Sequence, residues 1–539
     1  MSLLEKAKSW AAHDPDSKTK SELEELINQG NHLEIESRFA QLLQFGTAGL
    51  RGELGAGPNR MNRVVVAYAA AAIAEFLKRN KLHYENPEGK LSVVIGFDGR
   101  ENSDVFAKDT AQIISAAGCE ALLFDQRVPT PVAAFTGKRL KASATIVVTA
   151  SHNPPRDNGY KVYLGGKFGG SQLISPQDRE IAHLIEENYK QLTFDRIPKS
   201  NDYGTLSSND VDHYIARALE LIPQSSPARS TIKILHTALH GVGSTVVEKI
   251  FKRAGFQLSV VEEQRNPDPA FPTVTFPNPE EPGAMDLAFQ EGSNNRVDLI
   301  LANDPDADRL AVAVPNGNGW KMLTGDEVGI LLADYCSSKA KSGAIANSIV
   351  SADISALASS YQLDYQQTLT GFKWISKVPN LIYGYEEALG YCVDPNYTPD
   401  KDGISAALVV AEIAANLASQ NQSLTSKLDE LANKFGRIST GQVSIRVSDL
   451  SLIGQVMRFV RQLPPTSFEG TLEMNDLLKS QTLKTDAVIL SNEKARLIFR
   501  PSGTEPKLKC YLQYQGDQNG LERLKVFASD LLRSAQQTA

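Results

Sequence analysis

The sequence predicts an α/β protein with three similar α/β domains followed by a smaller α+β domain. The main observation is a strand–helix–strand module that occurs three times, because such alternation implies mixed or parallel sheets covered by helices. The second is the length of 539 residues, which is too long for one hydrophobic core. The third is a change of pattern near Thr440, after which several strands and two helices are expected.

The modules follow two N-terminal helical stretches, LLEKAKSWAAHD and SKTKSELEELINQG. The first module consists of strand LSVVIGF, helix SDVFAKDTAQIISAAG and strand CEALLF. The second consists of TIKILHTAL, GSTVVEKIFKRAG and FQLSVV, and the third of SIVSA, ISALASSYQ and LDYQQTL. Gly118 and Gly255 stand at the ends of the first two module helices, where a left-handed residue commonly terminates a helix.

Two polar, turn-rich stretches, Tyr203–Asn209 and Gly317–Trp320, predict domain junctions. We therefore expect domains I to IV at residues 1–205, 206–320, 321–439 and 440–539. The last of these contains the predicted strands GQVSIRV, AVILS, ARLIFR and KLKCYLQY.

Composition argues against several classes of function. The net charge of -7 gives no electrostatic reason to bind nucleic acid or an anionic membrane. The four cysteines are far apart and form no C-x-x-C pair, which argues against a disulfide framework or a zinc site. Because the chain has neither a long apolar run nor a signal-peptide core at its start, we expect a cytoplasmic protein without a membrane span.

NDPDADRL carries the strongest local signal for chemistry. Asp304, Asp306 and Asp308 alternate directly after the predicted buried strand VDLILA. Crowded carboxylates repel one another unless a cation lies among them, and such oxygen ligands suit Mg²⁺, Mn²⁺ or Ca²⁺. An EF-hand loop is excluded because Arg309 and Pro315 stand where that loop needs glycine and glutamate. A metal site is favoured over a solvated acidic turn.

TASHNPPRDNGYKVY follows the predicted strand ASATIVVT and places Ser151 on a loop beyond a strand end. The adjacent His152 raises the question of a hydrolytic pair. The segment has no G-x-S-x-G elbow, however, and adjacency in sequence does not place the imidazole against the serine hydroxyl. His152 is equally compatible with a structural role.

RPSGTEPKLK lies between two predicted strands and offers hydroxyls, backbone N–H groups and cations in one turn. This composition fits an anion nest and an ordinary hairpin turn equally well. In GFDGRENS, Arg100 is compatible with facing a phosphate or pairing with Asp98. The glycine-rich FGTAGLRGELGAGPNRMN, which holds Arg51, reads equally as a loop near phosphate or as a connector.

TGFKWISK and YGYEEALGY form the last pair of polar segments. Glu386 and Glu387 are predicted to lie in a loop bounded by Gly384 and Gly390. Paired carboxylates there could bind sugar hydroxyls, although a solvated turn is the simpler interpretation.

Taken in order, TASHNP, DPDADR, GYEEALGY and RPSGTEP make the chain resemble the α-D-phosphohexomutase superfamily. More narrowly, YGYEEALGY and TGFKW resemble the branch of phosphoglucomutases that also act as phosphopentomutases. The resemblance covers essentially the whole chain. It implies four domains around a cleft and an isomerase that moves a phosphoryl group within a sugar phosphate.

The resemblance also implies a role for each matching residue. Ser151 would carry the phosphoryl group as phosphoserine and supply a phosphate oxygen to Mg²⁺. The implied Mg²⁺ ligands are Asp304, Asp306 and Asp308, and the implied groups around the transferring phosphate are Arg309, Arg51, and Lys161 or His152 as general base or acid. The implied substrate contacts are Glu386 for the sugar hydroxyls and Arg500, Ser502, Gly503 and Thr504 for the non-reacting phosphate. Glu387 and Lys373 are further expected substrate-binding residues.

Two motifs depart from the common family pattern. D-G-D-G-D-R is D-P-D-A-D-R here, which keeps all three aspartates and the arginine. G-E-x-S has Ala388 in place of serine, so substrate choice is left open.

The expected reaction interconverts glucose 1-phosphate and glucose 6-phosphate through phosphoserine and a bisphosphate, with Mg²⁺ and glucose 1,6-bisphosphate as cofactors. The alternatives are a phosphopentomutase, a phosphomannomutase, a sugar-bisphosphate synthase, a phosphatase and a non-catalytic phosphosugar sensor. The expected partners are small phosphosugars, and a monomer and a dimer are both compatible with the sequence.

Overall fold

A computed structural model describes residues 2–46, 49–191, 193–446, 450–501 and 507–538. The chain divides into two compact units. The first comprises Met1–Leu323, Leu381–Gly384 and Leu389–Gln420, and the second comprises Thr324–Asn380, Tyr385–Ala388 and Asn421–Ala539.

A mixed sheet of seven strands forms the first layer of the first unit. Its strands are β1 (Leu50–Glu53), β2 (Ser92–Phe97), β3 (Glu120–Phe124), β4 (Ala144–Val148), β5 (Asp157–Leu164), β6 (Ser171–Gln172) and β7 (Gly204–Leu206). They lie in the order β1-β5-β4-β2-β3-β7, and β6 pairs with β5. Strands β3, β2 and β4 run parallel, whereas β5 returns antiparallel to β4. The loop that carries Ser151 therefore joins two neighbouring strands at one end of the sheet.

A second mixed sheet belongs to the same unit. Its strands are β8 (Lys233–Thr237), β9 (Gln257–Val260), β10 (Leu299–Asn303), β11 (Leu310–Asn316) and β12 (Gly319–Met322). They lie in the order β12-β11-β10-β8-β9, with β10 parallel to β8 and antiparallel to β11. The three aspartates occupy the short connection between β10 and β11.

The remaining strands follow in the chain. They are β13 (Ala344–Ser348), β14 (Asp364–Thr368), β15 (Leu381–Glu386), β16 (Gly390–Cys392), β17 (Ile438–Arg446), β18 (Glu473–Asp476), β19 (Val488–Ser491), β20 (Ala495–Pro501) and β21 (Lys507–Gln515). In the second unit β13 and β14 pair in parallel. The C-terminal sheet is antiparallel, in the order β17-β21-β20-β19-β18. This change from mixed to antiparallel pairing matches the change of pattern seen in the sequence.

Helices accompany the strands along the chain. They are α1 (Leu3–His13), α2 (Ser17–Asn28), α3 (His32–Phe39), α4 (Arg63–Arg79), α5 (Lys81–Tyr84), α6 (Ser103–Ala116), α7 (Thr130–Arg139), α8 (Gln177–Gln191), α9 (Ser208–Leu219), α10 (Ser244–Ala254), α11 (Asp286–Asn295), α12 (Gly325–Lys339), α13 (Ser355–Ser360), α14 (Phe372–Ile375), α15 (Gly403–Ala418), α16 (Leu424–Phe435), α17 (Leu450–Gln462) and α18 (Gln518–Thr538). Within the described part of the chain, no helix combines the length and the apolarity that a membrane crossing requires.

A large hydrophobic core of the first unit forms between the seven-stranded sheet and helices α4, α6 and α8. All six residues of β2 are buried, because helices cover both faces of the sheet at its centre. Most of α4 is buried as well, which explains why its sequence is Ala-rich and apolar on nearly every side. The predicted strands and helices of the first two modules are confirmed.

Three local predictions are wrong. The strand expected at SIVSA ends at Ser348, and the paired segment is AIANS instead. Ile349 and Val350 are buried in a cluster with residues of the C-terminal sheet, so their apolarity serves packing rather than strand pairing.

The other two corrections concern strands that the sequence left unassigned. Glu386 is the last residue of β15 rather than part of a loop, since buried Tyr383 and Tyr385 alternate through Gly384. The glycine-rich segment around Arg51 contains β1, which pairs with β5 from much later in the chain. The three predicted boundaries between the four domains stay a prediction.

Candidate active site

Ser151 lies on the loop between β4 and β5. Its backbone is left-handed, with φ of 52°, and its N–H donates to Thr149 Oγ1 at 2.8 Å. The left-handed conformation is uncommon for a residue with a side chain and persists only when its surroundings enforce it. The side chain is buried, and Ser151 Oγ donates to Asp304 Oδ2 at 2.9 Å.

Arg100 supplies much of that enforcement. Its Nη2 donates to the carbonyls of Ser151 and Asn153, both at 2.6 Å. Its Nη1 donates to the carbonyls of Pro154 and Asp157, both at 2.9 Å. One buried guanidinium thus holds both ends of the serine loop. The sequence is compatible with Arg100 facing a phosphate or pairing with Asp98. The structure places Asp98 beside it, with Arg100 Nε and Asp98 Oδ2 3.6 Å apart.

The three aspartates converge on the turn between β10 and β11. Asp304, Asp306 and Asp308 are at most 1% exposed, and one carboxylate oxygen of each lies within 4.8 Å of the others. Ala307 turns the loop with φ of 57°, so alanine here takes a conformation for which glycine is better suited. Gly403 lies against this turn, where a Cβ atom would come within 2.1 Å of the Arg309 carbonyl oxygen.

Lys161 connects the first sheet to the aspartate loop. It lies on β5 opposite Val147, and its Nζ donates to Asp306 Oδ2 at 2.7 Å and Asp308 Oδ2 at 2.6 Å. Burial disfavours the ammonium, but the attraction of the two carboxylates raises the pKa of Lys161 above its ordinary value. Lys401 Nζ lies 3.2 Å from Asp308 Oδ2 and adds a second cation.

The surroundings shift the pKa values of Asp304 and Asp308 in opposite directions. Burial and the two neighbouring carboxylates raise the pKa of Asp304 well above its ordinary value. Burial opposes ionisation of Asp308 too, but Lys161 and Lys401 lower its pKa below the ordinary value. The negative charge is thus held most firmly at the end of the loop where the lysines lie.

His152 lies next to the serine hydroxyl, with Nδ1 and Ser151 Oγ 3.1 Å apart. Desolvation, together with Arg309 and Arg51, lowers the pKa of His152 well below its ordinary value, so the imidazole is neutral near pH 7. Arg51 Nη1 donates to Asn153 Oδ1 at 3.1 Å, and Arg309 Nη1 lies 3.7 Å from Glu280 Oε2. The structure therefore brings Ser151, His152, both arginines and the aspartate loop together.

The carboxylate oxygens fit a divalent cation. Asp306 Oδ1 and Asp308 Oδ1 are buried, and neither accepts a hydrogen bond from any residue that the structure describes. Buried carboxylate oxygens without a donor are costly unless a cation satisfies them. Hard oxygen ligands of this kind are the ligands that Mg²⁺ takes.

In the second unit, Glu386 and Glu387 are fixed by separate contacts. Glu386 Oε1 accepts from the Gly371 N–H at 2.7 Å, and Glu387 Oε2 accepts from Ser351 Oγ at 3.0 Å. Desolvation, with Glu386 and Asp326 nearby, raises the pKa of Glu387 to about 8. Lys373 lies on α14, with Nζ 6.0 Å from the centre of the Trp374 ring.

Arg500 lies near the end of β20. It is directly opposite Lys509 of β21, and its side chain hydrogen-bonds Tyr511. Like charges directly opposite each other in a sheet repel, and a bound anion would relieve that repulsion. The predicted contacts Ser502, Gly503 and Thr504 lie outside the described residues.

Sequence reasoning missed Thr130 and Lys401 and left the position of Arg100 open. Thr130 Oγ1 donates to Asp306 Oδ2 at 2.5 Å, across 176 positions of the chain. Neither Thr130 nor Lys401 belongs to a segment whose pattern indicates chemistry. Only GFDGRENS, with a charged pair at a strand end, carried a usable signal.

Models of one protein family match three consecutive segments of the chain. They are described as phosphoglucomutase/phosphomannomutase α/β/α domains I, II and III, and they match residues 42–192, 212–317 and 324–435. Together with the antiparallel C-terminal sheet, these matches confirm the predicted fold class.

Related proteins carry more than one substrate name. A "Probable phosphomannomutase" of Haemophilus influenzae is 46% identical over 464 residues, which are 85% of this chain and 93% of that protein. The human "Phosphopentomutase" is 33% identical over 560 residues, with 94% of this chain and 90% of that protein covered. A crystal structure of a phosphoglucomutase/phosphomannomutase family protein from Burkholderia thailandensis superposes with a TM-score of 0.69 at 20% identity, covering 91% of this chain and 97% of that one.

Proposed function

Because the chain belongs to the phosphoglucomutase/phosphomannomutase family, we propose that it interconverts glucose 1-phosphate and glucose 6-phosphate. Family membership makes it a phosphosugar mutase, an isomerase that transfers a phosphoryl group between two positions of a sugar. The choice of glucose is the part that the proposal adds.

One observation carries the phosphoryl-transfer part of the proposal: the Ser151 hydroxyl is aimed at a buried carboxylate cluster, with Oγ 2.9 Å from Asp304 Oδ2. Phosphoryl transfer depends on positioning and charge neutralisation more than on covalent activation, and the loop supplies the positioning. In the proposed cycle, phosphorylated Ser151 gives its phosphoryl group to the free hydroxyl of the sugar monophosphate. The other phosphate of the resulting bisphosphate then returns to Ser151.

Asp304, Asp306 and Asp308 are the proposed ligands of Mg²⁺. When bound, Mg²⁺ would neutralise charge on the transferring phosphoryl group as a Lewis acid. The chain supplies the rest of the neutralisation, because Arg51 and Arg309 flank His152 beside the serine. These cations favour a dianionic group on Ser151 over the neutral hydroxyl.

Lys161 is the proposed proton-transfer group, with His152 as the alternative. The Lys161 ammonium is held at two carboxylates, which fixes its position and keeps it protonated, so it is suited to deliver a proton. His152 is neutral and within hydrogen-bonding distance of Ser151 Oγ, so it is suited to accept one. Lys161→Met and His152→Gln separate the two roles through the pH dependence of kcat, since loss of a proton-transfer group removes one limb of the profile.

The substrate contacts are proposed in two groups. The first group, Glu386, Glu387 and Lys373, is proposed to bind sugar hydroxyls. The position of the Glu386 carboxylate supports this role, because the Gly371 N–H already holds one of its oxygens. Arg500, with Ser502, Gly503 and Thr504, binds the phosphate that does not react, which the opposed pair Arg500 and Lys509 supports.

Mannose and pentose phosphates are the second candidates, because relatives 46% and 33% identical are named for them. The test measures kcat/KM for the 1-phosphates of glucose, mannose, ribose and deoxyribose, with Mg²⁺ and a trace of hexose bisphosphate. We expect the highest value for glucose 1-phosphate. A tenfold higher value for mannose or a pentose would replace glucose as the main substrate.

Two further outcomes would contradict the mutase reaction itself. Release of inorganic phosphate without isomerisation indicates a phosphatase. Net accumulation of sugar bisphosphate from a bisphosphoglycerate donor, faster than isomerisation, indicates a bisphosphate synthase.

A further inference from the structure

Each aspartate of the loop has one carboxylate oxygen held by the protein. Asp304 Oδ1 accepts from the Arg309 N–H at 3.0 Å. Asp306 Oδ2 accepts from both Thr130 Oγ1 and Lys161 Nζ, at 2.5 and 2.7 Å. Asp308 Oδ2 faces Lys161 Nζ at 2.6 Å and Lys401 Nζ at 3.2 Å. In each case one oxygen is held in this way, and the other oxygen accepts either from the Ser151 hydroxyl alone or from no described residue.

The second oxygen of each carboxylate indicates that each aspartate would bind a cation through one oxygen. Asp306 Oδ1 and Asp308 Oδ1 accept nothing from the described residues, and Asp304 Oδ2 accepts only the hydroxyl of Ser151 among them. A carboxylate whose second oxygen carries two donors must break those hydrogen bonds before it can chelate a cation with both oxygens. The loop therefore offers one oxygen per aspartate.

Thr130 is the neutral member of this arrangement. It is the first residue of α7 and is fully buried. Its backbone N–H donates to the Asp306 carbonyl at 2.9 Å, while its hydroxyl donates to the Asp306 carboxylate. One residue thus fixes both the main chain and the side chain of a single aspartate, and its hydroxyl can be removed without changing the charge of the site.

We propose that Thr130 is a positioning residue that holds Asp306 as a one-oxygen ligand and thereby favours Mg²⁺ over Ca²⁺. The inference rests on the metal site of the proposed function. Mg²⁺ requires near-octahedral geometry with single oxygens, whereas Ca²⁺ accepts more ligands and two-oxygen carboxylates. Without the Thr130 hydroxyl, the Asp306 carboxylate can rotate toward two-oxygen binding, which costs Mg²⁺ affinity and spares Ca²⁺.

Thr130→Val removes the hydroxyl and keeps the shape of the side chain. The experiment titrates Mg²⁺ and Ca²⁺ by calorimetry into the metal-free full-length chain, with Ser151 shown by intact mass to be unphosphorylated. We expect Mg²⁺ affinity to fall about 10- to 100-fold, the usual cost of losing a partner of a metal ligand. Ca²⁺ affinity should stay within about threefold of the parent chain, because Ca²⁺ accepts two-oxygen carboxylates. Thr130→Ser restores the hydroxyl and should bind Mg²⁺ within about threefold of the parent chain.

Thr136→Val is the matched control. Thr136 lies on the same helix, is equally buried, and its hydroxyl donates to the Val132 carbonyl at 2.8 Å rather than to the site. It should leave both affinities unchanged. If Thr130→Val does not fold, Thr130→Ala is titrated with Thr136→Ala as its control.

Mg²⁺ affinity of Thr130→Val within twofold of the parent, or equal losses in the Thr130 and Thr136 variants, would overturn the positioning role. Equal losses for Mg²⁺ and Ca²⁺ would overturn the selectivity. A parent chain that binds Mg²⁺ but isomerises no phosphosugar would overturn the proposed function, and the comparison of variants would still stand.

Discussion

In the first unit three carboxylates converge on the turn between β10 and β11, whereas in the second unit Arg500 lies opposite Lys509 across β20 and β21. The carboxylates are at most 1% exposed, and lysines, a threonine and the backbone N–H of Arg309 hold them. Arg500 and Lys509 are only partly buried. Both regions concentrate like charges, but they do so at different depths.

The difference follows from the cost of desolvation. A buried charge is tolerated only with fixed partners, so the aspartate loop has its protein contacts in place before any ligand binds. A partly exposed cation keeps water as a partner and can exchange it for a phosphate that must later leave. The first region is suited to a resident ion and the second to a substrate group.

Replacing Ser151 tests the buried region most directly. Ser151→Ala should lower mutase turnover by about 10⁴-fold or more, because among the described residues no other hydroxyl donates to Asp304. The coupled isomerisation assay measures it, with Ser115→Ala as the control. Turnover within tenfold of the parent would exclude Ser151 as the carrier.

Arg100→Met tests whether the serine loop depends on its buried guanidinium. Four carbonyls would each lose a hydrogen bond from the guanidinium, so the free energy of unfolding should fall by about 3–5 kcal/mol. Urea denaturation measures the change. Arg79→Met, which removes an exposed pair with Glu75, should change it by less than about 0.5 kcal/mol. Equal effects in the two variants would refute the role of Arg100.

Asp306→Asn removes one charge from the aspartate loop. The half-saturating Mg²⁺ concentration for activity should rise about 100-fold, since a ligand and part of the attraction are lost together. Asp298→Asn, at an exposed position just before β10, should leave the titration unchanged. A parent-like Mg²⁺ titration for Asp306→Asn would place the metal elsewhere.

Arg500→Ala tests the partly exposed region. KM for the sugar phosphate should rise about 10- to 50-fold with kcat within about threefold, as expected for a contact made equally in the ground and transition states. Arg437→Ala removes an exposed arginine that pairs with Asp429 and should change neither constant. A loss confined to kcat would contradict a clamp on the non-reacting phosphate.

The smallest expected effect concerns the pH dependence of stability at Asp402, a buried aspartate whose pKa is raised, whereas the pKa of Asp308 is lowered. Its neighbours are the Tyr214 hydroxyl and helix N–H groups rather than lysines, and burial raises its pKa from 3.8 to about 6. The folded state binds this proton more tightly, so stability should decline as pH rises from about 4 to about 6, by about 1–2 kcal/mol. Urea denaturation across that range should show a shallower decline for Asp402→Asn. An unchanged slope would contradict the raised pKa.

Much of the fold could be read from the chain because its elements have local causes. The apolar run of β2, the helix α6 that Gly118 follows, and the alternation that repeats in β8 and α10 are all set by neighbouring residues. β1 could not be read in this way, since its hydrogen-bonding partner lies about a hundred residues later. Only the first strand of the third module was placed a few residues too late, because the buried, apolar Ile349 and Val350 resemble part of a strand in sequence.

By itself the sequence determined the three α/β modules, the serine loop at a strand end and the crowding of three aspartates, because each is a short-range pattern of residue types. Only the tertiary structure decided what meets these groups. The lysine on β5, the threonine at the start of α7 and Lys401 reach the aspartates from distant positions, and chain separation leaves no local trace of such contacts. The sequence determines which charged groups need partners, and the fold determines which residues provide those partners.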